Sequence, residues 1–280
     1  MLVTLNEVLR DAKKNKYAVG LFNTTDTDML EAVISAAEEC RSPVIIGTAE
    51  VLLPNGELRL IAPSIIAAAK RATIPGVVHY DHGLTFDKCM EALKLGFTSL
   101  MYDCSTDPYE ENVRKLCELT KIAHAFGATV EAELGHVGDN DSDAPVPEDP
   151  SAFYTDPVQA KEFVDKTHVD ALAIAVGTAH GAYRFTPKLD FDRIVACRSL
   201  VDCGLVLHGG TGIPAEMIQK AISLGVSKIN VNTECQLAFA AATRKYIEEG
   251  KDLEGKGFDP RKLLAPGAEA IKATVKEKME

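Results

Sequence analysis

The stretch LVLHGGTGIPAEMIQKAISLGVSKINVNT, residues 205–233, decides the fold of this 280-residue chain. It starts with the apolar run Leu205–Leu207 and ends with a second run, Lys228–Val231, and short runs of this kind are typical of buried parallel strands. The helical pattern Ala215–Leu224 lies between them, after Pro214 and before a glycine, where helices commonly begin and end. Strand, helix and strand in this order predict a β-α-β unit with parallel strands.

The same alternation runs through the rest of the chain. Further short apolar runs predict strands at Ala18–Phe22, Val44–Ile46, Val77–Tyr80, Ser99–Tyr102, Thr129–Glu133 and Ala171–Val176. Helical patterns separate the runs, for example at Asp28–Cys40, Glu111–Phe126 and Glu234–Tyr246. Eight strand–helix units predict an α/β fold, a (β/α)8 TIM barrel, formed as a single domain over residues 1–280. A doubly wound open sheet is the alternative that shares this alternation.

Composition and charge exclude several classes of protein. The chain has 41 acidic and 30 basic residues, a formal net charge of −11, which argues against a nucleic-acid partner. No apolar run is long enough to span a bilayer, and the N-terminus has an amphipathic helical pattern rather than that of a signal peptide. The seven cysteines are odd in number and show no C-x-x-C spacing, so neither a disulfide framework nor a zinc knuckle is expected. These features predict a cytoplasmic protein with no membrane partner.

Three histidines stand at equivalent ends of three predicted strands. They are His82, His180 and His208, and a glycine follows each of them. Because the carboxyl ends of barrel strands meet at one mouth, these side chains converge, and three imidazoles suit a catalytic zinc with an open position. A single histidine at a strand end would be interpreted as a hydrogen-bonded loop residue, but three together favour a metal site.

Carboxylates accompany these histidines. Asp81, next to His82, would either orient this ligand or act as a general acid/base on a metal-bound substrate, and the sequence leaves both roles open. Asp103 and Glu133, also at strand ends, would orient the histidines or form an alternate metal position. Glu131 faces the same side of its strand as Glu133, and two inward carboxylates are costly unless they are paired or functional.

The glycines after the seventh strand indicate a phosphate site. The segment Gly209-Gly210-Thr211-Gly212 precedes the helix that Pro214 opens, and Asn232-Thr233 precedes the next helix. Backbone amides and hydroxyls at such turns bind anions. Barrels often hold phosphate between the loops that follow strands seven and eight.

Six segments together carry a specific resemblance that runs nearly end to end. They are residues 17–23 (YAVGLFN), 80–83 (YDHG), 130–135 (VEAELG), 177–181 (GTAHG), 207–210 (LHGG) and 228–233 (KINVNT). In this order they resemble the class II (zinc-dependent) ketose-bisphosphate aldolases, the family of fructose- and tagatose-1,6-bisphosphate aldolases. The GTAHG segment and the short loop after strand five look more like the tagatose-type branch.

The resemblance implies roles for individual residues. His82, His180 and His208 would bind Zn²⁺, and Asp81 would transfer the proton of the C4 hydroxyl. Asp141 falls where many members carry a loop glutamate that removes the C3 proton of dihydroxyacetone phosphate. The residues expected to contact substrate or its phosphate are Asn23, Gly181, Gly209, Gly210, Thr211, Asn230, Asn232 and Thr233. The family also implies a monovalent cation, Na⁺ or K⁺, near the phosphate, and a homo-oligomer, either a dimer or a tetramer.

The sequence therefore predicts reversible aldol cleavage of a phosphorylated ketose, of the fructose- or tagatose-1,6-bisphosphate type. The products would be dihydroxyacetone phosphate and an aldehyde such as glyceraldehyde 3-phosphate. Another phosphoketose as substrate is one alternative. A metal-dependent hydrolase is a second, although such barrels usually carry H-x-H after strand one and Phe22-Asn23-Thr24 does not. A non-catalytic sugar-phosphate-binding subunit is a third, but it would not need three histidines and Asp81.

Overall fold

The computed structural model describes residues 1–55, 57–139, 150–183 and 186–280. Within these residues, eight parallel strands form a barrel. In chain order they are β1 (Val19–Asn23), β2 (Val44–Ala49), β3 (Gly76–Gly83), β4 (Ser99–Tyr102), β5 (Thr129–Leu134), β6 (Ala171–Ile174), β7 (Gly204–Leu207) and β8 (Val226–Asn230). A further two-residue strand, Leu2–Val3, pairs with the start of β3.

The sheet closes on itself. Each strand pairs with its neighbour in the chain, β8 pairs with β1, and every pairing is parallel. Closure confirms the (β/α)8 TIM barrel and excludes the doubly wound open sheet, whose edge strands would be unpaired. The predicted strands are all present but their ends differ: β2 and β3 run three residues further, to Ala49 and Gly83, and β6 ends at Ile174.

Helices surround the barrel in the described ranges. They are α1 (Leu5–Asn15), α2 (Thr27–Cys40), α3 (Leu58–Arg71), α4 (Phe86–Leu95), α5 (Tyr109–Ala125), α6 (Pro157–Thr167), α7 (Phe191–Leu200), α8 (Ala215–Ser223), α9 (Thr233–Glu248), α10 (Pro260–Leu263) and α11 (Ala265–Met279). Short 3-10 turns cover Glu50–Asn55, Pro150–Phe153 and Lys251–Leu253. As predicted, α8 begins directly after Pro214. His168 is the residue that follows α6, and its backbone is in a left-handed conformation.

Two apolar layers hold the fold together. The larger one fills the space between the barrel and the helices and includes outward-facing strand residues such as Phe22 and Ile46. The smaller one lies inside the barrel at its amino-terminal end, under α1, and includes Leu21, Ile45 and Val206. The polar interior residues therefore lie above an apolar floor, toward the carboxyl ends of the strands. Among the described residues, no helix is both long and apolar enough to cross a membrane.

Candidate active site

The three predicted histidines meet at the carboxyl-terminal mouth of the barrel. The ring of His82 lies 4.8 Å from that of His180 and 4.7 Å from that of His208, measured between centroids. One ring nitrogen from each histidine lies within 4.8 Å of one from each of the others. His208 directly follows β7, whereas His180 lies beyond the end of β6 in a two-residue strand, Ala179–His180. That strand pairs with Gly138–Asp139.

An irregularity in β3 brings His82 into this cluster. Neighbouring residues of a regular strand face opposite sides, and Asp81 already faces the interior. The register between β3 and β4 shifts between Tyr80 and Gly83, so that Asp81 and His82 together lie opposite the single residue Met101. His82 also has a φ of 43°, a left-handed value that is uncommon outside glycine. The bulge turns its side chain toward the mouth, as bulges near active sites commonly do.

Each histidine offers one nitrogen for a ligand. Nε2 of His82, Nε2 of His180 and Nδ1 of His208 are buried and have no hydrogen-bond partner among the described residues. Buried polar atoms are rarely left unpaired, so three that converge indicate a binding site for an electrophile. Three neutral imidazole nitrogens with an open fourth position are the ligand set of a catalytic zinc. The residues present therefore fit a zinc ion.

Carboxylates orient two of the ligands. Oδ2 of Asp103 lies 2.8 Å from Nδ1 of His82, and Oε1 of Glu131 lies 2.9 Å from Nε2 of His208. Burial alone would lower the pKa of His82, but the charges of Asp81 and Asp103 raise it to about 9. Burial and the His82 charge lower the pKa of His180 to about 3. A divalent cation at the cluster would therefore displace a proton from His82.

Glu133 stands beside the cluster, with its Oε2 3.4 Å from Nδ1 of His208. Its Oε1 accepts the amide of Val137 at 2.9 Å, while its buried Oε2 has no hydrogen-bond partner in the described ranges. Burial and the nearby charge of Asp103 raise the pKa of Glu133 to about 8. Together with His82 and Asp103, it forms a second group of atoms close enough to hold a metal. The predicted alternate metal position thus has its residues in place.

Asp81 is buried inside the barrel and held on both oxygens. Asn23 donates to its Oδ2 at 2.9 Å, and Asn230 donates to its Oδ1 at 3.2 Å. Burial alone would raise the pKa of this carboxyl, but charges on His82 and Lys228 hold it well below its usual range. Asp81 is thus an oriented, ionised carboxylate next to the histidine cluster.

The predicted phosphate segments lie side by side because β7 and β8 are paired. The amide of Gly210 donates to the carbonyl of Asn230 at 2.9 Å. A Cβ on Gly209, whose φ is 65°, would collide with the carbonyl of Ala179, which fixes this position as glycine. Thr211 is buried and accepts the amide of Glu234 at 3.3 Å.

The remaining predicted contacts border these loops. Asn232 precedes α9 with its Oδ1 buried and unpaired among the described residues, and Thr233 is the first residue of that helix. Gly181 follows His180 with a φ of 82°. Asp141 lies outside the described residues.

Tyr183 is a residue that sequence reasoning missed. Its hydroxyl accepts the amide of Ala179 at 2.6 Å and donates to the carbonyl of Gly209 at 3.0 Å. It therefore joins the loop that carries His180 to the loop that follows His208. The sequence did not indicate this role, because Tyr183 follows His180 by three positions whereas its partner Gly209 follows a different strand.

Glu50, the first residue of the 3-10 turn after β2, has a structural role. Its carboxylate accepts the hydroxyl of Tyr80 at 3.0 Å and the amides of Leu84 and Thr85 at 2.7 and 3.2 Å. These contacts hold the 3-10 turn after β2 against the start of α4.

Comparisons with known proteins agree with this geometry. The family model described as "Fructose-bisphosphate aldolase class-II" matches residues 3–280. The chain is 45% identical to the fructose-bisphosphate aldolase of Geobacillus stearothermophilus over 281 residues, covering 99% of this chain and 96% of the relative. It is 43% identical to that of Staphylococcus aureus strain Mu50, covering 100% and 96%. The crystal structure of the YdjI aldolase from Escherichia coli K12 superposes with a TM-score of 0.87 at 35% identity, covering 99% and 96%. The chain belongs to the class II fructose-bisphosphate aldolase family.

Proposed function

We propose that this protein catalyses the zinc-dependent, reversible aldol cleavage of a phosphorylated ketose of the fructose- or tagatose-1,6-bisphosphate type. The products are dihydroxyacetone phosphate and an aldehyde such as glyceraldehyde 3-phosphate. The observation that carries the proposal is the convergence of three unpaired, buried imidazole nitrogens next to the oriented carboxylate of Asp81. Family membership supports the same reaction.

His82, His180 and His208 hold the zinc ion in this proposal. When bound, Zn²⁺ supplies the Lewis acidity that stabilises negative charge on the donor half after the C3–C4 bond breaks. Asp103 and Glu131 keep the rings of His82 and His208 in orientations that leave one nitrogen of each free.

Asp81 performs the proton transfer at C4. In cleavage its carboxylate takes the proton of the C4 hydroxyl, the electrons of the C3–C4 bond move to C3, and C4 becomes the aldehyde carbon. In the reverse reaction Asp81 returns that proton to the aldehyde oxygen. Asn23 and Asn230 donate to the two carboxylate oxygens and so fix the direction in which Asp81 faces.

A second proton transfer, to C3 in the cleavage direction, turns the donor half into dihydroxyacetone phosphate. We assign it to Asp141, an aspartate one methylene shorter than the glutamate common at this place in the family. The loops after β6, β7 and β8 bind the phosphate of the donor half through Gly181, Gly209, Gly210, Thr211, Asn232 and Thr233. Backbone amides at such turns hold anions without a lysine or arginine.

The wider setting is part of the same proposal. Residues 1–280 act as one aldolase domain in the cytoplasm, assembled as a dimer or tetramer. A monovalent cation, Na⁺ or K⁺, lies near the phosphate loops.

A substrate panel tests the proposal. The purified protein is incubated with zinc and, separately, fructose 1,6-bisphosphate, tagatose 1,6-bisphosphate and a singly phosphorylated ketose, and dihydroxyacetone phosphate is measured. We expect cleavage of at least one ketose, complete loss of cleavage after exhaustive chelation, and recovery on adding zinc. Borohydride added with substrate should not inactivate the protein, because no lysine Schiff base forms. Cleavage that survives chelation, or borohydride trapping, would falsify the proposal.

A further inference from the structure

A charged layer lies inside the barrel directly beneath the proposed site. Glu131 on β5 and Lys228 on β8 are both fully buried, and Nζ of Lys228 lies 2.9 and 2.8 Å from the two carboxylate oxygens of Glu131. The pair spans the barrel interior, since β5 and β8 are separated by two strands on one side and by four on the other. Ala171 and Ala173 on β6, small residues beside Glu131 and Glu133, leave room for it.

Stability alone does not explain this pair. Desolvating two charges costs several kcal/mol for each ion, and well-packed apolar residues of similar volume are often at least as stable. The apolar floor with Leu21, Ile45 and Val206 lies in the same interior, while the groups beside the pair are polar, among them Nε2 of His79 at 4.0 Å from Oε2 of Glu131. The contacts that Glu131 and Lys228 make beyond each other therefore indicate what the pair does.

Glu131 fixes the ring of His208. Its Oε1 accepts the proton on Nε2 at 2.9 Å, a closer contact than the 3.4 Å between Nδ1 and Oε2 of Glu133, so the lone pair lies on Nδ1, the nitrogen without a hydrogen bond among the described residues. The opposite tautomer would place a lone pair against the carboxylate and a proton against the metal position. The carboxylate can do this as an anion because Lys228 neutralises it inside the barrel.

Lys228 fixes the amide of Asn230. Its ammonium donates to Oδ1 of Asn230 at 2.7 Å, and Nδ2 of the same amide donates to Oδ1 of Asp81 at 3.2 Å. Rotating the amide by half a turn would bring its NH₂ group against the ammonium and its carbonyl against the carboxylate. Lys228 thus selects the one amide orientation that supports Asp81.

We propose that Glu131 and Lys228 form a positioning pair that sets both halves of the active site, with Glu131 holding the metal-binding tautomer of His208 and Lys228 orienting Asp81 through Asn230. This inference rests on the proposed function for the part that concerns Asp81. The part that concerns His208 needs only metal binding. In this role the Lys228 ammonium is held by Glu131 and Asn230 and forms no covalent bond with the substrate, although it is a buried lysine inside an aldolase barrel.

Two single variants test the two roles, and zinc affinity is measured in both because Lys228 also neutralises Glu131. In Lys228→Met, a side chain of similar length without a donor, we expect kcat to fall about 10- to 100-fold while KM changes little, because the orientation of Asp81 is lost. In Glu131→Gln, we expect zinc affinity, measured by competition with a chelator, to fall about 10- to 100-fold. Thr129→Val is the matched control: it removes a buried hydroxyl of the same strand face whose partners, in the part of the chain that the structure describes, are the backbone of Leu5 and Thr98. It should lower thermal stability without changing zinc affinity or kcat.

The double variant Glu131→Gln/Lys228→Met distinguishes positioning from a structural role. It removes both charges together, so no unpaired buried charge opposes folding even where a single variant fails to fold. If the pair positions the site, the melting temperature returns toward that of the wild type while kcat and zinc affinity stay low. If it only supports the fold, all three recover together, and the proposal is overturned.

A measurement on the unaltered protein completes the test. Nitrogen-15 NMR of the histidine side chains reports which ring nitrogen carries the proton, and we expect a protonated Nε2 in His208. A proton on Nδ1 would overturn the role of Glu131. A wild-type protein that binds zinc but cleaves no ketose would contradict the proposed function instead, and would leave the zinc-affinity and tautomer results to decide the role of Glu131.

Discussion

Asp81 and His82 are consecutive residues of β3, yet both side chains face the same end of the barrel interior. The bulge opposite Met101 and the left-handed φ of 43° at His82 make this possible. The proposed proton-transfer group and a proposed metal ligand thereby stand next to each other on one strand. In the proposed reaction, this arrangement would let the carboxylate of Asp81 reach the substrate close to a metal held by His82.

The histidine cluster leads to a prediction about metal binding. Replacing His82 or His180 by alanine should weaken zinc binding more than 100-fold, beyond the roughly 10- to 100-fold loss typical of residues that only orient a ligand. Chelator competition followed by elemental analysis measures this. His124→Ala is the control, since His124 lies on α5 and pairs with Asp170 at 2.8 Å. Equal zinc affinity in the His82 variant and the control would exclude His82 as a ligand.

Asp103 should raise zinc affinity through its hydrogen bond to His82. In Asp103→Asn the side chain keeps its shape but loses the charge that orients Nδ1 of His82, a contact of 2.8 Å. We expect zinc affinity to fall about 10- to 100-fold with the fold retained. Asp170→Asn removes a carboxylate that bonds His124 away from the site, and it should leave zinc affinity unchanged. A loss of similar size in both variants would indicate a general effect on folding.

Much of this site could be predicted from the sequence, because a barrel brings the carboxyl ends of its strands together at one mouth. Strand periodicity predicted the (β/α)8 fold, and equivalent strand ends predicted that His82, His180 and His208 converge. Strict alternation along β3 would have turned His82 toward the helices, and only the backbone shows the bulge that reverses it. The pairing of Lys228 with Glu131 was also out of reach, because it depends on which side chains meet across the interior.

Asp81 should affect chemistry rather than metal binding. Asp81→Asn keeps the volume of the side chain but cannot accept the C4 proton, so kcat should fall about 10²- to 10⁴-fold. Zinc should remain bound, because the hydrogen bonds that Asp81 makes within the described ranges go to Asn23 and Asn230 and not to a ligand ring. Steady-state cleavage and zinc stoichiometry of the same sample test both parts. Unchanged turnover would remove Asp81 from the reaction, and lost zinc would make it part of the metal site.

The ion pairs of Glu39 should make the packing of the C-terminal helix α11 against α2 depend on pH. Its carboxylate lies 2.5 Å from Nζ of Lys272 and 2.9 Å from Nζ of Lys276, which joins α2 to α11. Hydrogen bonds from these lysines lower the pKa of Glu39 to about 2. A carboxyl whose pKa is lower in the folded than in the unfolded chain stabilises the fold when the pH is above its unfolded-state pKa, about 4.3 for glutamate. This stabilisation is lost as the pH falls through the folded-state pKa.

Glu39→Gln tests this attachment. We expect the variant to unfold at a lower urea concentration than the wild type at neutral pH. The difference should shrink as the pH falls below the pKa of Glu39 in the unfolded chain, and it should vanish near the pKa of Glu39 in the folded protein. Urea titrations across this range measure it. A difference that stays constant with pH would mean that the charge of Glu39 does not contribute.

Tyr183 should couple the two loops that carry His180 and Gly209. Tyr183→Phe removes the acceptor of the Ala179 amide and the donor to the Gly209 carbonyl, so the segment that precedes His180 loses a fixed contact. Each lost hydrogen bond costs about 1 kcal/mol, so we expect lower thermal stability, weaker zinc binding and weaker inhibition by inorganic phosphate. Tyr17→Phe is the matched control, because the Tyr17 hydroxyl donates to Asp11 in α1, at the opposite end of the barrel. If Tyr183→Phe and Tyr17→Phe bind zinc and phosphate equally well, the coupling of the two loops has no functional effect.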